Sequence, residues 1–368
     1  MKLHRYLALA ALVLFVACEQ TPTAPEESSA EALLKKGGKP GGGTPPPAVT
    51  DPVLLYASAY DGGQGRLGFS MYRMNVDGAF ERVFEDAVES GVESVDPSFA
   101  PDGQQFGFGR FVIGKGRSSG LWQIARANLD GTGFTILHEI EDGVGILDEP
   151  SWSPAPLGDG QEKIAYLEGA RDASGTWSGY DLFIMNVDGT ERTRLTSHTL
   201  MSNGNAYVSQ FGWSRSADRI LAIIRNRTTK EYTRRLYSID CATTCALTDS
   251  VDLDLSDRLA PVEGFGQIDW AGTGDRFVVE VWDSANAWHG DLWIIDVSDP
   301  QSPSFTRLTD TPTLEERNPT WSPDDTQIAF KNYVDGINRV YLMNADGSGV
   351  TAISADIGVD FGGMDWQP

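Results

Sequence analysis

An aromatic residue followed by a tight turn returns six times along the chain, and this repeat limits the possible folds more than any other feature. It stands at Phe99 in PSFAPDG, Trp152 in PSWSP, Trp213 in FGWSRSAD, Trp270 in IDWAGTGD, Trp321 in PTWSPDD and Trp366 in MDWQP, at intervals of 53, 61, 57, 51 and 45 residues. A period of that length marks a supersecondary unit that stacks on copies of itself. After each of the first five aromatics comes an alternating run such as QQFGFGRF, EKIAYLEG, RILAIIR, RFVVEVW or TQIAFKN. Its period of two predicts a strand with one buried face. A second strand recurs as MYRMNVDG, IARANLDG, LFIMNVDG, LYSIDCAT, LWIIDVSD and VYLMNADG, and four of these six end in Asn-x-Asp-Gly, a hairpin signal. Short last strands such as ERTRLT and SFTRLT complete the unit. Four antiparallel strands per roughly 50 residues is the pattern of a propeller blade.

The first and last repeats complement each other. MDWQP reads as a first strand with no blade after it, and DPVLLYASAY as a second strand with no first strand before it. Pairing Phe361 to Trp366 beside Val53 to Tyr60 completes one blade from both ends and leaves no open edge. An open solenoid of the same repeats would leave both ends uncapped. The expected fold class is therefore all-β, a six-bladed β-propeller over residues 51–368, closed by pairing of the N- and C-terminal strands in one blade.

Ahead of that body, Lys2 and Arg5 precede an apolar run from Leu7 to Ala17 and then Cys18. The run is too short for the roughly 20 residues of a membrane-spanning helix and has the flanks of an export signal. Residues 1–17 are read as a signal peptide, and the segment Phe15 to Cys18 resembles the bacterial lipobox, which implies lipidation of Cys18. An ordinary secretory peptide with an incidental cysteine is the alternative. Residues 18–50, with KKGGKPGGGTPPP, hold too few large apolar groups for a core and read as a flexible, partly extended tether. These segments together describe an exported chain anchored to the cell envelope, touching the membrane through its N-terminal lipid only. A net charge of −23 repels phosphate backbones and argues against nucleic-acid partners. In an oxidising compartment Cys241 and Cys245, in CATTC, are placed for a local disulfide. A zinc site there would need further ligands, and no His or Cys lies close in sequence.

The PxWSPDG and LxxMNxDGTxxxxLT elements resemble the WD40-like repeat of the propeller domain of TolB and its relatives, over about Asp51 to Pro368. The resemblance implies the propeller fold. Function does not follow from it, because this fold serves unrelated roles. The α/β domain that precedes the propeller in TolB has no counterpart expected here, so contacts with peptidoglycan-associated or Tol proteins are not carried over.

A ligand is expected where the repeats differ. The turn after each aromatic and the Asp-Gly turn lie at one end of a blade, and the connections at the other end are long and unlike one another. On that face the sequence places Trp177, Tyr180, Tyr207, Tyr232, Trp288 and Tyr333, interleaved with Arg171 and His289, as candidate binding residues. Catalytic signatures are weak. The GxSxG around Ser118 has no helical period after it, as a nucleophile elbow requires, and DLDLSD, with Asp252, Asp254 and Asp257, lacks the Gly and terminal Glu of a calcium loop. No catalytic residue, cofactor or metal is assigned. The expected function is a non-enzymatic scaffold recognising an envelope protein or polysaccharide. The alternative is a propeller enzyme, a polysaccharide lyase or glycoside hydrolase, with its active site at the channel mouth.

Overall fold

The computed structural model describes residues 53–58, 70–83, 92–112, 120–171, 177–197, 206–253, 262–283, 290–311, 315–334, 337–354 and 362–368. Residues 1–50, for which a signal peptide, a lipidated Cys18 and a tether are expected, lie outside the described residues, as do Trp288 and His289. Every regular element among the described residues is a strand, in six four-stranded antiparallel sheets. Blade one holds β1 (Val53–Ser58), β2 (Ser70–Asn75) and β3 (Phe80–Arg82). Blade two holds β4 (Val92–Phe99), β5 (Gln105–Val112), β6 (Leu121–Asn128) and β7 (Thr135–Glu141). Blade three holds β8 (Gly145–Trp152), β9 (Lys163–Arg171), β10 (Trp177–Asn186) and β11 (Thr193–Arg194). Blade four holds β12 (Ala206–Trp213), β13 (Arg219–Asn226), β14 (Tyr232–Asp240) and β15 (Ala246–Asp252). Blade five holds β16 (Val262–Trp270), β17 (Arg276–Asp283), β18 (Gly290–Asp296) and β19 (Ser304–Arg307). Blade six holds β20 (Glu315–Trp321), β21 (Gln327–Val334), β22 (Ile337–Asn344) and β23 (Thr351–Ala352).

The final strand, β24 (Met364–Trp366), returns to blade one and pairs antiparallel with β1, setting Leu54 opposite Trp366 and Tyr56 opposite Met364. The expected closure is therefore present. The first strands of the blades, β4, β8, β12, β16, β20 and β24, touch one another in an unbroken cycle and form the inner wall of the ring. No described helix is long and apolar enough to cross a membrane.

The core is divided into six apolar layers, one between each pair of neighbouring blades, and each layer contains one repeat aromatic. Trp213, for example, packs on Ala165, Leu167 and Leu182 of blade three and Ile220 of its own blade. Trp366 lies with Ala329 and Val340 of blade six and Leu54 and Tyr56 of blade one. This stacking corrects the expectation of a single buried face on the second strands. Ile220, Leu221, Ala222, Ile223 and Ile224 are all buried, as are Ile164 through Leu167, because each middle strand has a blade on both sides. A strand covered on both faces carries a continuous apolar run.

The Asp-Gly turns fasten the rim. In blade two, the Asp130 carboxylate accepts the Thr132 amide at 2.9 Å, and Gly131 takes φ +80°. A Cβ at Gly131 would lie 2.4 Å from the Val83 carbonyl oxygen of blade one, so glycine is what lets this turn rest on its neighbour. Blade four lacks this turn. Its β14–β15 hairpin instead carries a disulfide between Cys241 and Cys245, and Cys241 is buried in the layer shared with blade three.

Candidate functional site

Each described inner strand from β4 to β20 is broken by a β-bulge just before its aromatic residue, for example between Val95 and Ser98 and between Asp148 and Ser151. The bulge re-aims the residue three positions before the aromatic, as bulges near functional sites do. Asp96, Glu149 and Asn318 occupy these positions with φ near +50° (50°, 49° and 49°), left-handed backbone that is uncommon outside glycine. With Gln210, Gln267 and Gly363 at the equivalent positions they line a cavity of about 400 Å³ to which all six inner strands contribute, the central channel.

The residue immediately before the aromatic fastens one blade to the next. Asp365 Oδ2 accepts the Phe99 amide at 2.6 Å, Ser98 Oγ accepts the Trp152 amide at 2.9 Å, and Asp269 Oδ2 accepts the Trp321 amide at 2.6 Å. These amides face the open side of an inner edge strand, where no further strand of the sheet offers an acceptor, so each needs one from the neighbouring blade. The channel-lining residues three and four positions before the aromatics are hydrogen-bonded as well. Gly363 N donates to Asp96 Oδ1 at 2.6 Å, Asn318 Nδ2 to Gln267 Oε1 at 3.0 Å, Gln210 Nε2 to Glu149, and the Tyr180 hydroxyl to Asp148 Oδ2 at 3.0 Å.

Burial pushes these carboxyls upward. It raises Asp269 to about 6 against the opposing bonds from Trp321 and Thr320, and raises Asp365 to about 7, with the charge of Asp269 adding to the effect. Glu149 is pushed well above the carboxylate range by burial and then by Asp148 and Asp96, and burial also raises Asp148.

Glu280 enters from a second strand. It belongs to β17, behind the inner wall, yet lines the channel because β16 presents Gly266 in front of it. A Cβ at Gly266 would meet the Glu280 carboxylate at 2.2 Å, and one at Gly264 would meet the Trp282 ring at 2.7 Å. Glu280 accepts the Trp282 indole N–H, and burial pushes it to about 7 although Trp282 and Arg317 oppose this. Among the described residues no group of three or more His, Cys, Asp or Glu is arranged to hold a metal ion.

The loop-face candidates divide differently from the expectation. Arg171, Trp177, Tyr180, Tyr207, Tyr232 and Tyr333 lie in the ends of strands, not in loops, because pairing extends further than the turn signals indicated. Trp177 is opposite Arg171, and Tyr333 is opposite Glu315. Tyr333 stands apart in blade six. Tyr207, Arg225 and Tyr232 form one row across β12, β13 and β14 of blade four. Tyr180 is committed to Asp148 of the channel wall.

Around the blade-four row are guanidinium groups that the repeat motifs do not mark. Arg225 lies over the Tyr232 ring at 5.3 Å, Arg227 over Tyr207 at 5.2 Å, and Arg234 over Phe265 of blade five at 4.4 Å. Two signals mark the missed residues in sequence. The channel set is the third residue before each repeat aromatic, and the guanidinium set is the basic run from Arg219 to Arg235 in a chain of net charge −23.

No protein-family model and no curated protein matches the sequence. Solved structures match the fold. TolB from Acinetobacter baumannii superposes with a TM-score of 0.57 at 14% identity, covering 86% of this chain and 67% of that one. A chain of a nidogen/laminin complex gives 0.52 at 11% identity over 86% of this chain and 98% of that one. Kuenenia stuttgartiensis hydrazine synthase gives 0.53 at 14% identity over 86% of this chain and 46% of that one. The architecture is thus the TolB-type propeller that the repeat resembles, a fold shared by proteins of different roles.

Proposed function

We propose that this chain is a non-enzymatic binding scaffold of the bacterial cell envelope, recognising a protein or an envelope polymer through the loop-rich face of its propeller. The observation that carries this reading is the engagement of the channel carboxylates. Asp96, Asp365 and Asp269 hold one blade to the next through backbone amides, and Asp148, Glu149 and Glu280 accept from Tyr180, Gln210 and Trp282. The polar groups of the axis serve the ring, and variation between blades is left to the other face. Export by the signal peptide, lipid on Cys18 and the tether to residue 50 would hold that face clear of the membrane surface.

In-cell cross-linking with mass spectrometry tests the reading by locating a partner and its face together. Alanine at Trp288 and Tyr333, with unchanged unfolding behaviour, is expected to reduce capture, and full capture would remove these residues from the binding face. For the anchor, Cys18→Ser is expected to abolish fatty-acid labelling and release the protein from membranes, and persistent labelling would sink the lipoprotein assignment.

One observation favours a second reading, an enzyme acting on polysaccharide at the channel. Asp269, Glu280 and Asp365, pushed to about 6, 7 and 7, stand in the range suited to proton transfer near neutral pH. Turnover on a panel of envelope glycans that is lost in Glu280→Gln would establish it in place of the first.

A further inference from the structure

At the loop-face end of blade four, Arg225 and Arg234 carry positive charge that no carboxylate among the described residues neutralises. Arg225 and Arg234 stand on the same side of the sheet as Tyr232, facing blade five. Arg225 is opposite Tyr232, and Arg234 is opposite Ile223 of the layer shared with that blade. Both guanidinium groups lie within reach of the Tyr232 ring, at 5.3 and 5.8 Å, and Arg234 also covers Phe265. Tyr207 is opposite Arg225, Arg227 lies over the Tyr207 ring, and both approach Gly179 of blade three. Neither Arg225 nor Arg234 forms an ion pair with a carboxylate among the described residues. Arg234 donates to the Tyr232 carbonyl at 2.9 Å, while its Nε is buried without an acceptor.

Such an arrangement is costly without a ligand. Burial pushes the Arg234 guanidinium down to about 10, with only the Tyr232 side chain opposing. Many arginines elsewhere are compensated, although Arg82, Arg126 and Arg276 also form no ion pair with a carboxylate among the described residues. Arg219, Arg235 and Arg307 each bond an aspartate, namely Asp275, Asp252 and Asp291. A part-buried cation without its counter-charge is normally selected against.

Resting on the loop-face reading above, we propose that Arg225, Arg234, Tyr207 and Tyr232 form a subsite for a carboxylate-bearing sugar unit of an envelope polysaccharide. A guanidinium matches a carboxylate in a planar, two-bonded geometry. Tyrosine rings beside it offer apolar faces and polar tips to a sugar ring. The net charge of −23 disfavours a dense polyanion, so a polymer whose charges are separated and carried on apolar ring faces suits this place better than an acidic peptide does.

The test uses the full chain and three probes: trigalacturonate, the neutral galactose trimer and hexa-aspartate, titrated by calorimetry at low ionic strength. Trigalacturonate is expected to bind at least roughly tenfold more tightly than either comparison, and Arg225→Gln and Arg234→Gln each to weaken it by about tenfold. Arg234→Met is expected to lose binding while unfolding at the same or a higher temperature, since it removes an uncompensated buried charge. A purely structural arginine would instead lower that temperature. Equal binding by wild type and variants, or no binding of trigalacturonate, overturns the proposal. Preference for hexa-aspartate would assign the subsite to an acidic protein segment and overturn it also. If the variants keep the cross-linked partner that alanine at Trp288 and Tyr333 loses, this subsite fails while the loop-face function stands.

Discussion

Asp365 makes the closure of the ring sensitive to pH in a direction that can be worked out. Its Oδ2 receives the Phe99 amide and its Oδ1 the Trp366 amide, and burial followed by the charge of Asp269 lifts it from the ordinary 3.8 to about 7. Between those values the folded protein keeps a proton that the unfolded chain has released. Stability therefore falls as pH rises through that window, with no cost below the unfolded value and the full cost above the folded one. Roughly three tenfold steps at about 1.4 kcal/mol each give a full cost of about 4 kcal/mol. About 2 to 3 kcal/mol of it falls between about pH 5 and about pH 8. Asp269 and Glu280 slope the same way, whereas Asp252, held low by its bonds to Arg235, contributes stability that is lost only as pH falls through its depressed folded value. Asn at position 365 keeps an acceptor for Phe99 but turns an amino group toward the Trp366 amide, at a cost of about 1 kcal/mol or more. In urea unfolding followed by tryptophan fluorescence, Asp365→Asn is expected to be less stable than wild type at about pH 5 and at least as stable at about pH 8. Parallel pH dependence in the two proteins would refute a buried, protonated Asp365.

Other substitutions probe the layers and the rim. Trp213→Ala should destabilise by about 3 to 5 kcal/mol in the same urea assay, since the ring fills the layer between blades three and four. Gly131→Ala should cost about 3 kcal/mol or more by meeting the Val83 carbonyl. Gly143→Ala, at φ +96° with open space around it, should cost only about 1 kcal/mol, and equal losses would deny the rim contact its role. Reduction of Cys241–Cys245, separated by 4 in sequence, should lower stability by about 2 kcal/mol, read as a shift of the urea midpoint with and without reductant.

The ring and its closure were legible because their signals are local and repeated. An aromatic before a turn and an Asp-Gly hairpin announce themselves wherever they stand, and the half-units around Leu54 and Trp366 complement each other. The two-sided burial of Ile220 to Ile224 is not legible in the sequence, although the run is continuous, because its meaning depends on a neighbour in the next blade. The channel set was hidden for a different reason. Asp96, Glu149 and Gln267 look like ordinary polar residues of an alternating strand until the bulges shift the register and bring together residues from all six blades. Glu280 was less legible still, since its position depends on the missing side chain of Gly266. The row of Tyr207 and Tyr232 was anticipated as aromatics on one face, but its arginines were not, because strand pairing and not sequence distance puts Arg225 between them.

The strand that completes blade one is made last, and this sets an order of assembly. Blades two to six can each stack on their predecessor as they emerge, burying one layer at a time. The layer between blades six and one waits for Met364 to Trp366, and the clasp from Asp365 to Phe99 joins groups 266 residues apart. Pairing at such separation carries the largest loop-closure penalty and is slow. Until it forms, the inner edge of β1 in blade one is an exposed strand of the kind that joins to other chains. A chain threaded across a membrane from its N-terminus would pass through that open state on every synthesis. Its yield in the cell should therefore depend on how quickly the final strand arrives and on the factors that guard the incomplete ring until then.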